Sequence, residues 1–379
     1  MAVVTGARYG FTDTANVAID MSDTLGMISP YDVPLLQLIG KDSLKSPCVA
    51  TKHEWLEDVL RPLDTAIATQ GEFSGTGAVS TATVTAGQGV YLRAGDILLI
   101  ESELVKLDSI STDTLTISAG SRGYGGSTAA AHASLTAIKI VGNVNVQDAA
   151  QGASRSTTKT GLYNYTQIYE DTIVVTSTAQ AIKKWVEQNE MSAQLMRALR
   201  IAWINWERAL LYGRKVAPSA GVASAMDGIL VRISTNTYAK AGATLTEEYI
   251  LQMLNDSWVQ GGAIDTLVVN AFQKRQMNKF LDSQRMTTRT DRVAGVIVDT
   301  YTSDFGTADI LLDRNMPTDT VLGIQKDRIG FGPLRDHVLS AAPVETSTRL
   351  KDAVQIIGQY TSETRNEAAH GKITGLATS

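Results

Sequence analysis

The chain has 379 residues, a formal charge of −5 and 44% apolar residues, which allows two or three domains with ample core at about 100–200 residues per domain. Its acidic balance argues against a protein that coats nucleic acid through bulk positive charge. The single cysteine, Cys48, excludes an internal disulfide and fits a reducing cytoplasm.

Residues 1–50 read as irregular, apart from a short helix over PLLQLIG (34–40) that ends at Gly40. The opening MAVVTGARYGFTDT lacks the apolar core of a signal peptide, and no run approaches the length of a membrane span. The product is therefore expected to be soluble, made in the cytoplasm and not in a membrane. KHEWLEDVL (52–60) begins like a zinc-protease helix, with His53 beside Glu54. Such a helix needs a second histidine at i+4, and position 57 is Glu. The expected arrangement is packing by Trp55 and Leu56, with His53, Glu54 and Glu57 facing solvent or a neighbour.

GEFSGTGAVSTATVTAGQG (71–89) reads as a flexible crossing. GDILLIE, ELVKLDSI, TLTIS and TAIKIV follow, short and rich in β-branched residues, and SISTDTLTIS reads as two strands joined at Thr112-Asp113. They predict a small all-β unit over 83–142. A polar stretch then leads to YEDTIVVTS, another strand, so the unit sits inside an excursion that leaves the body near 60 and returns near 170.

STAQAIKKWVEQNEMSAQLMRALRIAWINWERALLYG (177–213) contains no Pro and no internal Gly. Ser177 with Gln180 forms a capping box and Gly213 a stop. Ile182, Trp185, Ala193, Met196, Leu199, Trp203, Trp206 and Leu210 make one apolar stripe, interrupted by Asn189, that predicts a single helix about 50 Å long. Its core residues are expected to be Ile182, Trp185, Met196, Leu199, Trp203, Trp206 and Leu210. Beyond 225 the chain alternates helices (246–260, 271–284) with strands at DTLVVN, GVIVDTYTS, ADILLD, TVLGIQ and 351–366. The fold class is α+β.

Chemistry is sparse. Glu367 and His370 have the Glu-x-x-His spacing of di-iron bundles, but only one such motif is present and those sites need two with two further Glu. Arg122-Gly-Tyr-Gly-Gly-Ser127 precedes another strand rather than a helix, so it reads as a turn cluster and not a phosphate cradle. Four histidines and one cysteine leave few base and nucleophile pairs; no enzyme, metal or cofactor is expected. The sequons at Asn164 and Asn255 read as chance matches. Lys274, Arg275 and Lys279 with Arg285, Arg289 and Arg292 form a basic patch without aromatic interleaving, which reads as an intersubunit or axial face rather than a nucleic-acid site.

A coreless arm, a two-way excursion and a helix as long as the body are poor monomer parts. Ordering them costs about 1–2 kcal/mol per residue of backbone entropy unless they bury surface on something, and sister chains are the natural partner. HEWLEDVL, RGYGGSTAAAHA, NYTQIYEDTIVVTSTAQAI, YTSDFGTADILLDRNMP and GQYTSETRNEAAHGKITGL, in that order, resemble the SU10-like family of tailed-bacteriophage major capsid proteins from about residue 20 to 376. The resemblance implies the Hong Kong 97-like fold. On this chain it places an N-terminal arm at 1–50, an extended loop at 51–82 and 143–176, and the inserted β-domain at 83–142. A peripheral domain falls at 177–260 and 336–379, with its spine helix at 177–213, and an axial domain at 261–335. It further implies self-assembly into hexamers and pentamers, an icosahedral shell in the virion and enclosed dsDNA contacted weakly. Scaffolding, portal and decoration proteins are the implied partners. Two other readings are an encapsulin-like compartment shell and a carbohydrate-binding surface protein that uses the β-insert.

Overall fold

The chain divides into two units, one drawing on residues up to Trp55 and from Leu162 onward, the other spanning Leu56–Gly161. The computed structural model describes residues 32–40, 42–68, 73, 80–147, 152, 154–182, 189–281, 291–293, 296–345 and 350–378. Most of the expected arm (1–31), Trp185, Arg285, Arg289 and the side chain of Arg292 lie outside these residues.

The helices of the first unit are, in chain order, α1 (Pro34–Ile39), α2 (Ser177–Ala181), α3 (Glu190–Tyr212), α4 (Ile229–Arg232), α5 (Glu247–Val259) and α6 (Ala271–Leu281). A seven-stranded sheet runs in the order Thr237–Ala239, Gly371–Thr374, Val321–Ile324, Thr266–Val269, Gly306–Leu312, Val296–Ser303, Asp291–Val293. Alternation decides what its central strands bury. Leu267 and Val269 join Ile310, Val321 and Ile373 under Ile250, Met253 and Leu254 of α5. Val268 turns the other way and joins Leu311 and Leu322 under Trp206, Leu210 and Leu211 of α3. Each fully buried Leu, Ile or Val contributes about 1.5–3 kcal/mol, so a strand apolar on both faces belongs in the middle of a covered sheet. The strands Thr237–Ala239 and Gly371–Thr374 share this sheet with strands from 261–335. A division at 261 and 335 cuts through this hydrogen bonding, because Gly371–Thr374 pairs antiparallel with Val321–Ile324 inside that range, a long-range pairing of which local pattern carries no trace.

A second sheet is organised by the fourteen-residue strand Lys351–Thr364, which pairs antiparallel with Gln167–Thr176, Ile329–Pro333 and Ser340–Val344. The single helix expected over 177–213 is two helices in this unit. Thr176, not Ser177, caps α2 by accepting from the Ala179 N–H, and the helix stops at an extended Ile182. Asn189, the polar break in the stripe, caps α3 by accepting from the Ser192 N–H, a bond typically worth about 1 kcal/mol. At 23 residues, α3 is about 34 Å long rather than about 50 Å. Gly213 follows its last residue as the C-cap, and only glycine fits there, because a Cβ would sit 2.5 Å from the carbonyl oxygens of both Ala209 and Met226.

The second unit runs wider than the 83–142 read from the sequence. Its four-stranded sheet is ordered Asp64–Ala66, Ala137–Asn143, Asp96–Ile100, Glu103–Lys106, and its three-stranded sheet Ser80–Thr83, Thr114–Ile117, Ser109–Ser111. The strands that complete each sheet, Asp64–Ala66 and Ser80–Thr83, lie before residue 83 or at it. Ile67, Phe73, Leu98, Ile100, Val105, Leu115, Ile117 and Ile138 fill the core. The expected hairpin turns at Thr112, whose φ is 52°, and Asp113 accepts from the Gly87 and Gly89 N–H groups at 2.9 Å each.

Candidate functional site

KHEWLEDVL is a strand, Lys52–Glu57, paired with Thr160–Tyr165. Its alternation buries His53 and Trp55 and exposes Glu54 and Leu56, so the expected places of His53 and Leu56 are reversed. The reason lies far along the chain: His53 Nε2 is 3.3 Å from Oε2 of the buried Glu363. Cys48, and then Glu363, push the imidazole up to about 9, which keeps it cationic at neutral pH. Burial acts to raise Glu363, but His53 and Arg365 hold it below the usual carboxylate range. The result is a structural ion pair.

Asn164, one of the two sequon residues, is buried beside this pair's strand. Its Nδ2 donates to the Ser362 carbonyl at 2.8 Å and hydroxyl at 2.9 Å, and its Oδ1 accepts from the Asp227 N–H at 2.8 Å. Gln359 donates to the Thr166 hydroxyl at 2.6 Å, and the Thr361 hydroxyl to the Tyr165 carbonyl at 3.1 Å. The buried polar run Thr361–Thr364 is thus a row of bonds that holds the chain where it bends from Thr160–Tyr165 into Gln167–Thr176.

A second buried cluster anchors the segment entering the described fold at residue 32. Glu207, on the inner face of α3, accepts from the Leu36 N–H of α1 at 3.1 Å and from Asn315 Nδ2 at 2.7 Å. Burial, and then the neighbouring Asp313, push Glu207 up to about 8, and burial raises Asp313 as well. Asp313 Oδ2 is buried without a donor; a proton on Glu207 supplies one, so the pair shares a proton at neutral pH. A folded-state pKa raised above the ordinary 4.5 gives stability that is complete below about 4.5 and is lost as pH rises through about 8. Glu207→Gln can keep only one of the two accepted bonds, since each goes to a different carboxylate oxygen, but it removes the titration. Denaturant unfolding of the unassembled subunit between pH 5 and 9 is expected to show a flatter decline for Glu207→Gln than for the native chain. Parallel declines would refute the shared proton.

Of the expected helix-core residues, Trp206 and Leu210 are buried, Leu199 and Trp203 half-buried, and Ile182 and Met196 exposed at 59% and 56%. Ile182 lies beyond the end of α2, which explains its exposure; Met196 stands on α3 on the side away from the sheet core. Lys274, Arg275 and Lys279 lie on α6, the first half-buried and the other two exposed. Glu367 is taken up by the Ser234 and Thr235 N–H groups. His370 is buried, accepts from the Gln325 N–H at 3.2 Å, and is pushed down to about 4 by burial. Among the described residues no group of three or more His, Cys, Asp and Glu could hold a metal ion. In the second unit, Arg122 of the Gly-rich turn is buried against Glu103 rather than offered to a ligand. Large apolar side chains instead stand in the open: Val59, Leu60 and Leu63 in the second unit, with Leu60 at 91%, and Met196 and Ile201 on α3.

Sequence reasoning missed Asn164, Glu207 and Asp313. Glu207 carried a signal, since it falls four residues after Trp203 and four before Leu211, within the apolar face. In the first unit these groups are buried polar fastenings between segments distant in sequence.

Comparison with solved structures defines the class. The capsid of a native GTA particle matches 100% of this chain and 100% of its own at 9% identity and a TM-score of 0.52. A chain of Microbacterium phage Oxtober96 matches at 10% identity and a TM-score of 0.52, covering 94% of this chain and 96% of that one. The holo-SrpI encapsulin of Synechococcus elongatus PCC 7942 is similar over 62% of this chain and 81% of its own, at 9% identity and a TM-score of 0.47. The fold is the Hong Kong 97-like fold of capsid shells. No curated protein matches the chain by sequence. The family model for the SU10 major capsid protein matches residues 3–377, and the chain belongs to that family: it is a tailed-phage major capsid protein, located in the virion capsid, that assembles with copies of itself.

Proposed function

We propose that copies of this chain gather as hexamers and pentamers into an icosahedral shell around dsDNA, with no catalytic step of their own. The reading rests on the family match over residues 3–377, and the uncovered apolar side chains on a folded chain supply surface for it. Residues 1–50 act as an arm and 51–82 with 143–176 as an extended loop. The β-unit is carried on that loop, α2 and α3 serve as a broken spine, and 261–335 contribute most to the contacts around symmetry axes. Weak contacts repeated at many neighbours sum by multivalency. The basic patch of α6 faces sister subunits, and contact with DNA is weak and independent of sequence. Scaffolding, portal and decoration proteins complete the particle. Negative-stain microscopy of the purified chain is expected to show closed shells, and discrete small oligomers would overturn the reading. Nuclease-protected DNA in native particles, rather than a protein cargo, distinguishes the shell from an encapsulin.

The β-unit has a clean excision point, because Lys52–Glu57 and Thr160–Tyr165 are hydrogen-bonded neighbours. Replacing residues 58–159 with a short Gly-Ser loop is expected to leave a soluble chain that assembles poorly or gives fragile shells. Shells of unchanged yield and heat resistance would count against a structural role for the unit.

A further inference from the structure

One cluster in the second unit is unexplained by packing or by shell geometry. Asp96 is fully buried and its carboxylate is saturated. Oδ2 accepts from Arg155 Nη1 at 2.8 Å and from the Arg93 backbone N–H at 2.9 Å, and Oδ1 accepts from Asn143 Nδ2 at 2.7 Å. The Arg93 guanidinium reaches not a carboxylate but the Asn143 side-chain oxygen, at 3.2 Å, and Gly152 lies against it, where a Cβ would come within 3.2 Å of Nη1. Arg61 stands close enough for its charge, like that of Arg93, to act on Arg155.

Among the described residues, two arginines therefore meet at one bonded carboxylate, with the charge of a third, Arg61, acting on them. The Arg155 side chain is 8% exposed, and the Nε atoms of both Arg155 and Arg93 are buried without an acceptor. A lysine or histidine in this position would relieve the repulsion by losing a proton. Arginine does not, since its pKa exceeds about 12. Among the described residues no carboxylate pairs with Arg61 or Arg93, and an anion brought to this partly desolvated corner would neutralise them. The planar fork of a guanidinium matches the oxygens of a carboxylate or phosphate.

We propose that Arg61, Arg93 and Arg155, organised by Asp96, form a binding site for an oxyanion group. Asp96 and Asn143 fix two of the arginines in place, and Arg61, on the segment ahead of Asp64–Ala66, adds its charge to theirs. The occupant is either a free phosphate-like anion or a carboxylate from a second copy of the chain, which share this chemistry. The site depends only on the second unit's own residues, so it stands or falls separately from the reading of shell architecture.

The test uses the unassembled full-length chain, titrated with inorganic phosphate at constant ionic strength against chloride and followed by calorimetry and melting temperature. Phosphate is expected to bind saturably and raise the melting temperature, and Arg61→Gln to weaken binding at least ten-fold. Arg61 is chosen because Asp96 is held by other groups, so the variant keeps the native fold. Arg335→Gln, at an exposed arginine elsewhere, should leave binding unchanged. Assembled shells then separate the sources. Phosphate binding that persists in shells identifies a free anion. Binding that is blocked in shells, together with a lower melting temperature for Arg61→Gln shells, identifies a sister carboxylate. Phosphate acting no differently from chloride, or Arg61→Gln and Arg335→Gln behaving alike, would overturn the proposal.

Discussion

Trp206→Ala is expected to lower the unfolding free energy of the unassembled subunit by about 3–5 kcal/mol, as full truncation of a buried aromatic does when the surroundings cannot collapse. Trp206 is fully buried and sits among Tyr360, Tyr169 and Phe331, with ring centroids at 5.0, 6.1 and 6.1 Å. Phe331 and Tyr360 are themselves stacked at 5.1 Å. These rings come from α3 and three strands of the second sheet, so the cavity would open where helix and sheet meet. Aromatic pairs add about 0.5–1.5 kcal/mol each beyond their buried area. The indole N–H has no acceptor, so no polar bond is lost. Trp206→Phe should therefore cost well under half as much, since it keeps most of the volume and removes an orphaned donor. Trp203, which the sequence alone makes an equal candidate, is only half-buried, and its truncation should cost less than that of Trp206. Chemical denaturation of the three variants checks the order; equal losses at 203 and 206 would contradict the packing.

Arg122→Ala is expected to cost the β-unit about 3–5 kcal/mol, because it strands a buried carboxylate. Arg122 Nε and Nη2 donate to the two oxygens of Glu103 at 2.6 and 2.9 Å, and Nη2 also donates to the Ala130 carbonyl at 2.6 Å. The guanidinium lies 5.0 Å from the Phe73 ring centroid. Glu103 also accepts from the Gly123 and Ala130 N–H groups at 3.0 Å and meets His132 Nε2 at 2.9 Å. Burial would raise Glu103; Arg122 foremost, then these donors, overcome it and hold the carboxyl at about 2. Arg122→Lys would fare little better, since a single ammonium cannot replace a two-pronged bond. Scanning calorimetry of the subunit should show a lowered transition for the β-unit, with the transition of the larger unit in place. A single unshifted trace would refute the role of the pair.

What could be read from the sequence follows the range of the forces involved. Pro34–Ile39, Glu247–Val259 and Ala271–Leu281 were legible because a helix declares itself through spacing within a dozen residues. The strands Thr266–Val269, Val321–Ile324 and Lys351–Thr364 were legible through β-branched runs. Lys52–Glu57 was not recognised as a strand, because Glu54, Leu56 and Glu57 favour helix and its burial pattern is decided by Glu363, 310 positions away. The break before α3 hid in plain view at Asn189, a residue that caps helices as readily as it interrupts a stripe. The buried polar fastenings were the least legible. Asn164, Asp313 and Asp96 are ordinary surface residues by type, and only partners brought from distant segments make them interior.

The β-unit is attached through adjacent, mutually bonded strands, Lys52–Glu57 and Thr160–Tyr165. Its entry and exit therefore act as a socket: whatever cassette is fitted there needs only two ends a strand's width apart. His53 and Asn164, which secure those two strands, are bonded inside the larger unit to Glu363 and Ser362 and not to the cassette. Evolution, or an engineer, can exchange the fitted module while these fixings stay untouched, giving one chassis with different inserts.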